Sequence, residues 1–515
     1  MIATMDLSFN LSTISCIALI APSILIYLLN KLTTWEHIVP PSIRWIDRRP
    51  ELLSYIRSKA RSFFAMRENV IEAYKLNKEG HPVALAIAFG RPQIVLPPKY
   101  IKWIVDQPES KLSIDPIHNE FHAFLRDGLV GDHMVQEVMR KELAVNLAKL
   151  TEEMNEEIVC SLEDVYGGEG GGNGEWKTLP LKDSMRIVTA RISNRLFVGK
   201  ELGRNEEYLK HAIGVGMAVM PQTVVQDLIP RPLKRPLSFA TKIFTSFSLG
   251  GFTRLLRPVA EQRVREVQGV AGGEGDTHPH ELLTWMARRA VQRGESPSVI
   301  IDRLIFRIAA TNLASIETTT DTVTKCLQDI TKFSEEGGKD YLERMREEAR
   351  TVFESCNYAP AKADIDKLVH IENALKESLR LGAVLPALIR QVTTRTGLTL
   401  DDGTHLPFGA RISVAAYAIH RDEDKWTDAT TYNPSRHEQD GLPMSRASER
   451  FLSFGLGKRA CPGRFFVTDE MKLLFAHLLV KYEFRVVTPP RTKVGLLQEL
   501  AMRGPQEQLV IRQIK

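Results

Sequence analysis

Phe454-Gly455-Leu456-Gly457-Lys458-Arg459-Ala460-Cys461-Pro462-Gly463 is the stretch on which the reading of this chain turns. A single cysteine sits in a glycine-punctuated loop, and an apolar run, roughly Arg464 to Tyr482, follows it as a helix. Gly455, Gly457 and Gly463 carry no Cβ, so the loop can curl its N–H groups toward the sulfur and lie close to a flat ligand. A helix starting after Gly463 aims its positive end at the sulfur, and the expectation is a lowered thiol pKa. Arg459 can reach an anionic group as a charge-assisted donor, and Phe454 is expected to cover the sulfur from solvent. No second Cys or His stands at zinc-ligand spacing. The loop therefore reads as the proximal ligand site of a heme, with Cys461 on the iron and Arg459 on a propionate.

The segment resembles the heme-binding signature of the cytochrome P450 family. The run after it, Arg464-Phe465-Phe466 with Glu470, Lys472, Ala476-His477-Leu478-Leu479 and Tyr482, is similar to filamentous-fungal microsomal members. The resemblance implies a mainly α fold, a large helical domain with a small β-rich corner, holding heme b. Upstream, Glu377-Ser378-Leu379-Arg380 sets an acid and a base three apart on one helical face. Alone that spacing is common, but Tyr432-Asn433-Pro434-Ser435-Arg436 lies between it and the cysteine. In the resembled family the corresponding Glu, Arg and second Arg form a buried triad around the heme, here Glu377, Arg380 and Arg436.

A long helix is predicted to cross the opposite face of the heme. Ser296 is a good N-cap and Pro297 suits the first helical position, and no further Pro or Gly appears until Gly337. That allows about 35 residues, or roughly 50 Å. In its middle lies Ala314-Ser315-Ile316-Glu317-Thr318-Thr319. Mid-helix hydroxyls can bond back to the carbonyl one turn earlier, which bends the helix and opens a groove. An acid beside a threonine there can relay protons, although a solvated Glu followed by packing threonines explains the local sequence as well. The resemblance assigns the relay to Glu317 and Thr318, with Ser315 in place of the usual glycine. His133-Met134-Val135-Gln136-Glu137-Val138-Met139-Arg140-Lys141 resembles the family's fungal propionate-binding helix, with Arg140 as the contact and a solvated basic face as the alternative; the Trp common in other branches is absent. Arg390, after the apolar stretch from Ala383 to Ile389, is a comparable candidate.

Strand signals are few: Pro82 to Ala88, Gln93 to Pro97, and Leu398 to Leu400 turning at Asp402-Gly403 toward Ile412 to Ala416. Gly167 to Gly174, Gly269 to Gly275 and Pro230 to Pro236 read as surface loops. From Leu7 to Asn30 there are 24 uncharged residues, long enough to span a bilayer. A cleaved signal peptide fits less well, because Asp6 stands where a basic region should be. Lys31, Arg44, Arg48 and Arg49 follow, which places the rest of the chain in the cytosol. The expected layout is an anchor over 1–30, a hinge over 31–50 and a catalytic domain over 51–515, single-pass in the endoplasmic reticulum membrane.

Five cysteines without motif spacing suit a reducing compartment. A net charge of +5 from 68 Lys and Arg against 63 Asp and Glu gives no case for nucleic acid. The resemblance implies a membrane-anchored heme-thiolate monooxygenase that uses O2 and NADPH-derived electrons from NADPH-cytochrome P450 reductase, with cytochrome b5 as a further donor. Its substrate is expected to be a lipophilic small molecule, a terpenoid, meroterpenoid, alkaloid or polyketide intermediate, met by a pocket that includes Val384, Leu385 and Leu388. Alternatives are an oxygen-independent heme isomerase or dehydratase, which has no need of an acid–threonine relay, a non-catalytic heme sensor, and a monooxygenase of sterols or fatty acids.

Overall fold

The computed structural model describes residues 36–51, 53–88, 90–121, 132–167, 174–215, 234–270, 280–382, 386–488 and 507–514. The uncharged segment 7–30, residues 168–173 and 271–279 of the glycine-rich stretches, 230–233, and Val384 with Leu385 lie outside them. Among the described residues no helix is long and apolar enough to cross a membrane.

The central element is the helix Pro297–Phe333, 37 residues long. Its start follows the expected logic in part. Pro297 occupies the first turn, where its missing N–H leaves nothing unpaired, but Ser296 makes no side-chain cap. Instead the carbonyl of Ser296 accepts from the Ile300 amide at 2.9 Å. The helix runs on through a π turn, Ser334–Gly338, where Gly337 at φ 112° ends it before the next helix, Lys339–Ser355. Ile300, Leu304, Ile308, Ile316, Val323 and Leu327 bury one side of it. It packs against helices Leu181–Val198, Lys234–Val270, Leu282–Gln292 and Val369–Leu381.

Helix Arg464–Lys481 buries every residue from Thr468 to Leu479, the polar ones included, so it lies inside the body, against Lys339–Ser355, Ala144–Leu162 and Val369–Leu381. It stops one residue short of expectation, because Tyr482 opens the strand Tyr482–Val487. That strand pairs antiparallel with Gln508–Gln513, which pairs with Lys177–Pro180. Helix Lys234–Val270 takes in Pro236, which the sequence suggested was loop; a proline in the first turn removes no helical hydrogen bond.

The β-rich corner is a six-stranded sheet in the order Arg44–Trp45, Val83–Leu85, Gln93–Val95, Arg411–Val414, Ala387–Val392, Leu112–Ser113. Leu398–Thr399 does turn at Asp402-Gly403, but it pairs with His405–Leu406 and not with the 411–414 strand. The hairpin is shorter than expected because Gly403, at φ 83°, closes it within a few residues. A second hydrophobic core, including Val83, Ile94, Val392, Ile412 and Val414, lies under this sheet, apart from the helical core.

Candidate active site

The cysteine loop is pinned from both sides. The Cys461 amide donates to the Phe454 carbonyl at 2.8 Å and the Gly455 amide to Leu452 at 2.8 Å. Gly455 and Gly457 hold φ values of 70° and 73°, the left-handed region that favours glycine. A Cβ on Gly457 would also stand 2.2 Å from Val105 Cγ1. Gly463 is different, at φ −85°, and a Cβ there would meet Met139 Cε at 3.4 Å. The Phe454 ring packs with Phe451 and Trp426.

Cys461 presents an exposed face, yet the surrounding protein is dense enough to matter electrostatically. Burial pushes the thiol pKa up, against the Gly463 and Arg464 amides and the Arg464 charge, which pull it down. The expected lowering is thus reversed: the helix start acts in the foreseen direction, but desolvation outweighs it. A metal cation on the sulfur supplies the missing charge and removes the proton.

Behind the loop, Glu377, Arg380 and Arg436 come together. Arg380 donates from Nε and Nη2 to the two oxygens of Glu377 at 2.8 and 2.7 Å, and Arg436 Nε donates to Oε1 at 2.8 Å. The Asn433 amide adds 3.0 Å to Oε1 and His437 Nε2 stands 3.0 Å from Oε2. Glu377 is fully buried, which alone would raise its pKa, but Arg380 and His437 override that and hold it at about 2. Arg380 also donates to the Ala429 carbonyl at 2.6 Å and lies 5.3 Å over the Trp426 ring.

Two histidines of this site carried no signal in the sequence. His437 contacts the carboxylate just described. His420 joins the triad to the loop: its Nδ1 lies 3.0 Å from the Arg380 carbonyl, and its Nε2 accepts from the Leu452 amide at 2.8 Å. Nε2 is therefore the bare nitrogen and Nδ1 carries the proton. Burial holds the His420 pKa at about 3, so the ring is neutral. Ser453 Oγ adds a bond to the Leu379 carbonyl at 3.1 Å.

On the long helix, Thr318 Oγ1 donates to the Ala314 carbonyl at 2.7 Å, with Ser315 O at 3.3 Å. Ala314 and Thr318, one turn apart, are exposed although the helix is buried on both sides of them. The backward bond does not break the helix, which is continuous across these residues. Ser315 Oγ is buried and has no hydrogen-bond partner among the described residues. Glu317 is not free: Arg186 Nε donates to its Oε1 at 2.7 Å, and Lys182 Nζ stands 3.7 Å from Oε2 and also meets Asp321. Arg186 and Lys182 come from helix Leu181–Val198, far away in sequence.

At the loop's edge Arg140 donates to the Lys458 carbonyl. Arg459 Nε donates to Glu109 at 2.6 Å, and its Nη2 lies 3.8 Å from Asp115. His133, which precedes the helical run that carries Arg140, lies 3.4 Å from Arg459 and 3.4 Å from Asp115. Arg390 is buried beside this cluster, and its hydrogen bond among the described residues goes only to the neighbouring Ile389 carbonyl, at 2.8 Å. Leu388, expected in the pocket, instead packs into the core beneath the sheet at φ 54°, beside a bulge that separates the Ala387 and Arg390 pairings.

A flat dianionic macrocycle fits these residues: a lone thiol in a glycine cradle, small exposed side chains on the long helix, and a buried guanidinium whose charge lacks a full complement of acceptors. The fold and site define a heme-thiolate oxygenase.

The chain belongs to the cytochrome P450 family, whose model, Cytochrome P450, matches residues 132–510. It is similar to the cytochrome P450 monooxygenase ecdH of Aspergillus rugulosus, 68% identical over 512 residues that cover 99% of this chain and 100% of that protein. It is also similar to the cytochrome P450 monooxygenase gloO of Glarea lozoyensis, 45% identical over 95% of each chain, and to lnaC of Aspergillus flavus, 28% identical over 92% of this chain and 91% of that protein. These relatives are fungal cytochrome P450 monooxygenases.

Proposed function

We propose that the enzyme hydroxylates or further oxidises a lipophilic secondary-metabolite intermediate, with electrons from NADPH-cytochrome P450 reductase. Residues 1–30 anchor it in the endoplasmic reticulum membrane and residues 51–515 work on the cytosolic side. Terpenoid, meroterpenoid, alkaloid and polyketide scaffolds are the substrate set to try first. The observation that carries this reading is the exposed pair Ala314 and Thr318 in the middle of an otherwise buried helix, with Glu317 beside them.

Heme held through the Cys461 sulfur would supply the dioxygen chemistry. The chain supplies the rest. Cys461 would hold the iron, and the Gly463 and Arg464 amides would temper the charge of its sulfur. Arg390 would take a heme carboxylate, as would Arg459 and Arg140 on turning from Glu109 and from the Lys458 carbonyl. Thr318 gives its own proton to Ala314 O, so toward the substrate side its oxygen acts as an acceptor that orients a donor. Glu317 delivers protons, which requires its carboxylate to leave Arg186 and turn toward Thr318.

The test has two parts. Reduced protein under carbon monoxide should show a thiolate-type Soret band that Cys461→Ser abolishes; survival of the band would remove Cys461 as ligand. Metabolite profiling with and without the gene should show a lipophilic compound accumulating with fewer oxygens than the lost product. A compound differing by rearrangement or loss of water would favour oxygen-independent chemistry.

A further inference from the structure

The helix Pro297–Phe333 carries four Lys and Arg side chains, and three of them, Arg303, Lys325 and Lys332, leave between 37% and 74% of the side chain in solvent. The fourth, Arg307, is 1% exposed. Its Nε and Nη2 both donate to one oxygen of Asp132, Oδ2, at 2.9 and 2.7 Å. The other oxygen, Oδ1, accepts from the Met134 amide at 2.9 Å, so the pair is end-on and not a two-oxygen fork. Nη1 carries two N–H groups, is buried, and has no acceptor among the described residues. A donor left unpaired at that depth costs free energy unless a ligand arrives to accept from it.

The position of Arg307 on the helix says where that ligand would come from. At roughly 3.6 residues per turn, positions 307, 314 and 318 point within about 20° of one direction, so Arg307 stands on the stripe that carries the exposed Ala314 and Thr318. Along the axis it is about 10 Å from Ala314 and about 16 Å from Thr318. Side chains between them are small: Ala310 is half-buried, Ala314 is exposed, and Thr311 turns its hydroxyl back to the Arg307 carbonyl at 2.7 Å. The stripe therefore runs from Thr318 past two alanines to a buried cation. Charge decides what that far end accepts. Asp132 already balances the guanidinium, so a carboxylate there would leave one uncompensated negative charge in the interior, whereas a neutral carbonyl oxygen takes the Nη1 hydrogens with no change of charge.

We propose that Arg307 is a specificity-determining residue that holds a neutral carbonyl of the substrate, an amide, ester or ketone, about 10 Å or more from the carbon that is oxidised. The inference rests on the monooxygenase reading above and narrows its substrate set: a plain hydrocarbon scaffold, with no carbonyl at that reach, leaves Nη1 unpaired. A purely structural role, tying the segment at Asp132 to the long helix, accounts for the Nε and Nη2 bonds but not for Nη1.

The test uses the full-length holoenzyme and three probes of similar length, N-methyldodecanamide, dodecanoate and tetradecane, with binding read from the low-to-high-spin shift of the heme band. The parent should bind the amide about tenfold more tightly than either of the others. Arg307→Lys keeps a charge facing Asp132 but has no second nitrogen, and should bring the amide and tetradecane within about twofold of each other. Asp132→Asn removes the balancing charge and should invert the order, making dodecanoate the tightest ligand; a merely structural pair would not move that order. In turnover with reductase the parent should hydroxylate the amide toward its methyl end, and Arg307→Lys should spread the oxidation along the chain. The carbon monoxide Soret band reports that each protein is folded and thiolate-ligated. Its absence in the parent would sink the monooxygenase reading, whereas an intact band with the amide preference unchanged in Arg307→Lys, or with dodecanoate preferred by the parent, overturns the carbonyl site alone.

Discussion

Glu377→Gln removes one charge from a fully buried cluster and keeps its shape, which makes it a direct test of what holds the core behind the loop. In the native chain the carboxylate accepts from Arg380, Arg436 and Asn433 and contacts His437. Its pKa falls from the ordinary 4.5 to about 2. A folded-state pKa below the unfolded one gives stability that is present above pH 4.5 and lost as pH falls toward 2. At neutral pH that shift is worth about 3 kcal/mol, within the roughly 3–5 kcal/mol expected when one partner of a buried ion pair is removed. The glutamine also faces two guanidinium groups with an amide that satisfies neither charge. Urea unfolding at pH 7, followed by the carbon monoxide Soret band and by far-ultraviolet circular dichroism, should show a loss of about 3 kcal/mol. Arg436→Ala should be milder, because that arginine lies at the cluster's edge and its side chain is 9% exposed. A glutamine variant within about 1 kcal/mol of the parent would refute the assignment of this carboxylate as the charge on which the cluster depends.

Other outcomes follow from the same geometry. Gly457→Ala should lower heme retention and cost about 1–3 kcal/mol, from its φ of 73° and the Val105 contact, whereas Gly463→Ala should be tolerated; heme content after gel filtration separates the two. Arg186→Leu should remove the shorter of the two cation contacts of Glu317, leaving Lys182 at 3.7 Å, and change product formed per NADPH consumed without moving the carbon monoxide band; an unchanged ratio would mean that the Arg186 pair does not govern proton delivery. Glu470 is fully buried with Oε1 unpaired, and burial raises its pKa to about 8. For a raised acid, stability is full below pH 4.5 and lost as pH rises through 8, so Glu470→Gln should narrow the gap in melting temperature between pH 5 and pH 8.5.

What could be read from the chain was what lies close together in sequence. The cysteine loop and Glu377 with Arg380 are short spacings whose chemistry is local, and the long helix is bracketed by Pro297 and Gly337. The pairings that complete the site are remote. Arg186 reaches Glu317 across 131 positions, and His420 reaches Leu452 across 32 while the Arg380 carbonyl it also contacts lies 40 away. No periodicity marks such residues, because their partners are set by how helices and sheet stack. Leu388 shows the same limit in reverse: an apolar residue after the triad helix looked like pocket lining, and a left-handed backbone beside a bulge, unsignalled by any glycine, turned it into the sheet's core. The thiol pKa failed for a different reason, since the helix end was foreseeable but the depth of burial around Cys461 was not.

His420 has a bearing on engineering. Because its ring bolts Leu452 to the Arg380 carbonyl, the ligand loop is not a portable cassette. Moving residues 452–463 into a more distant relative that has no histidine at the counterpart of position 420 would leave the main-chain amide of residue 452 without its acceptor in the interior.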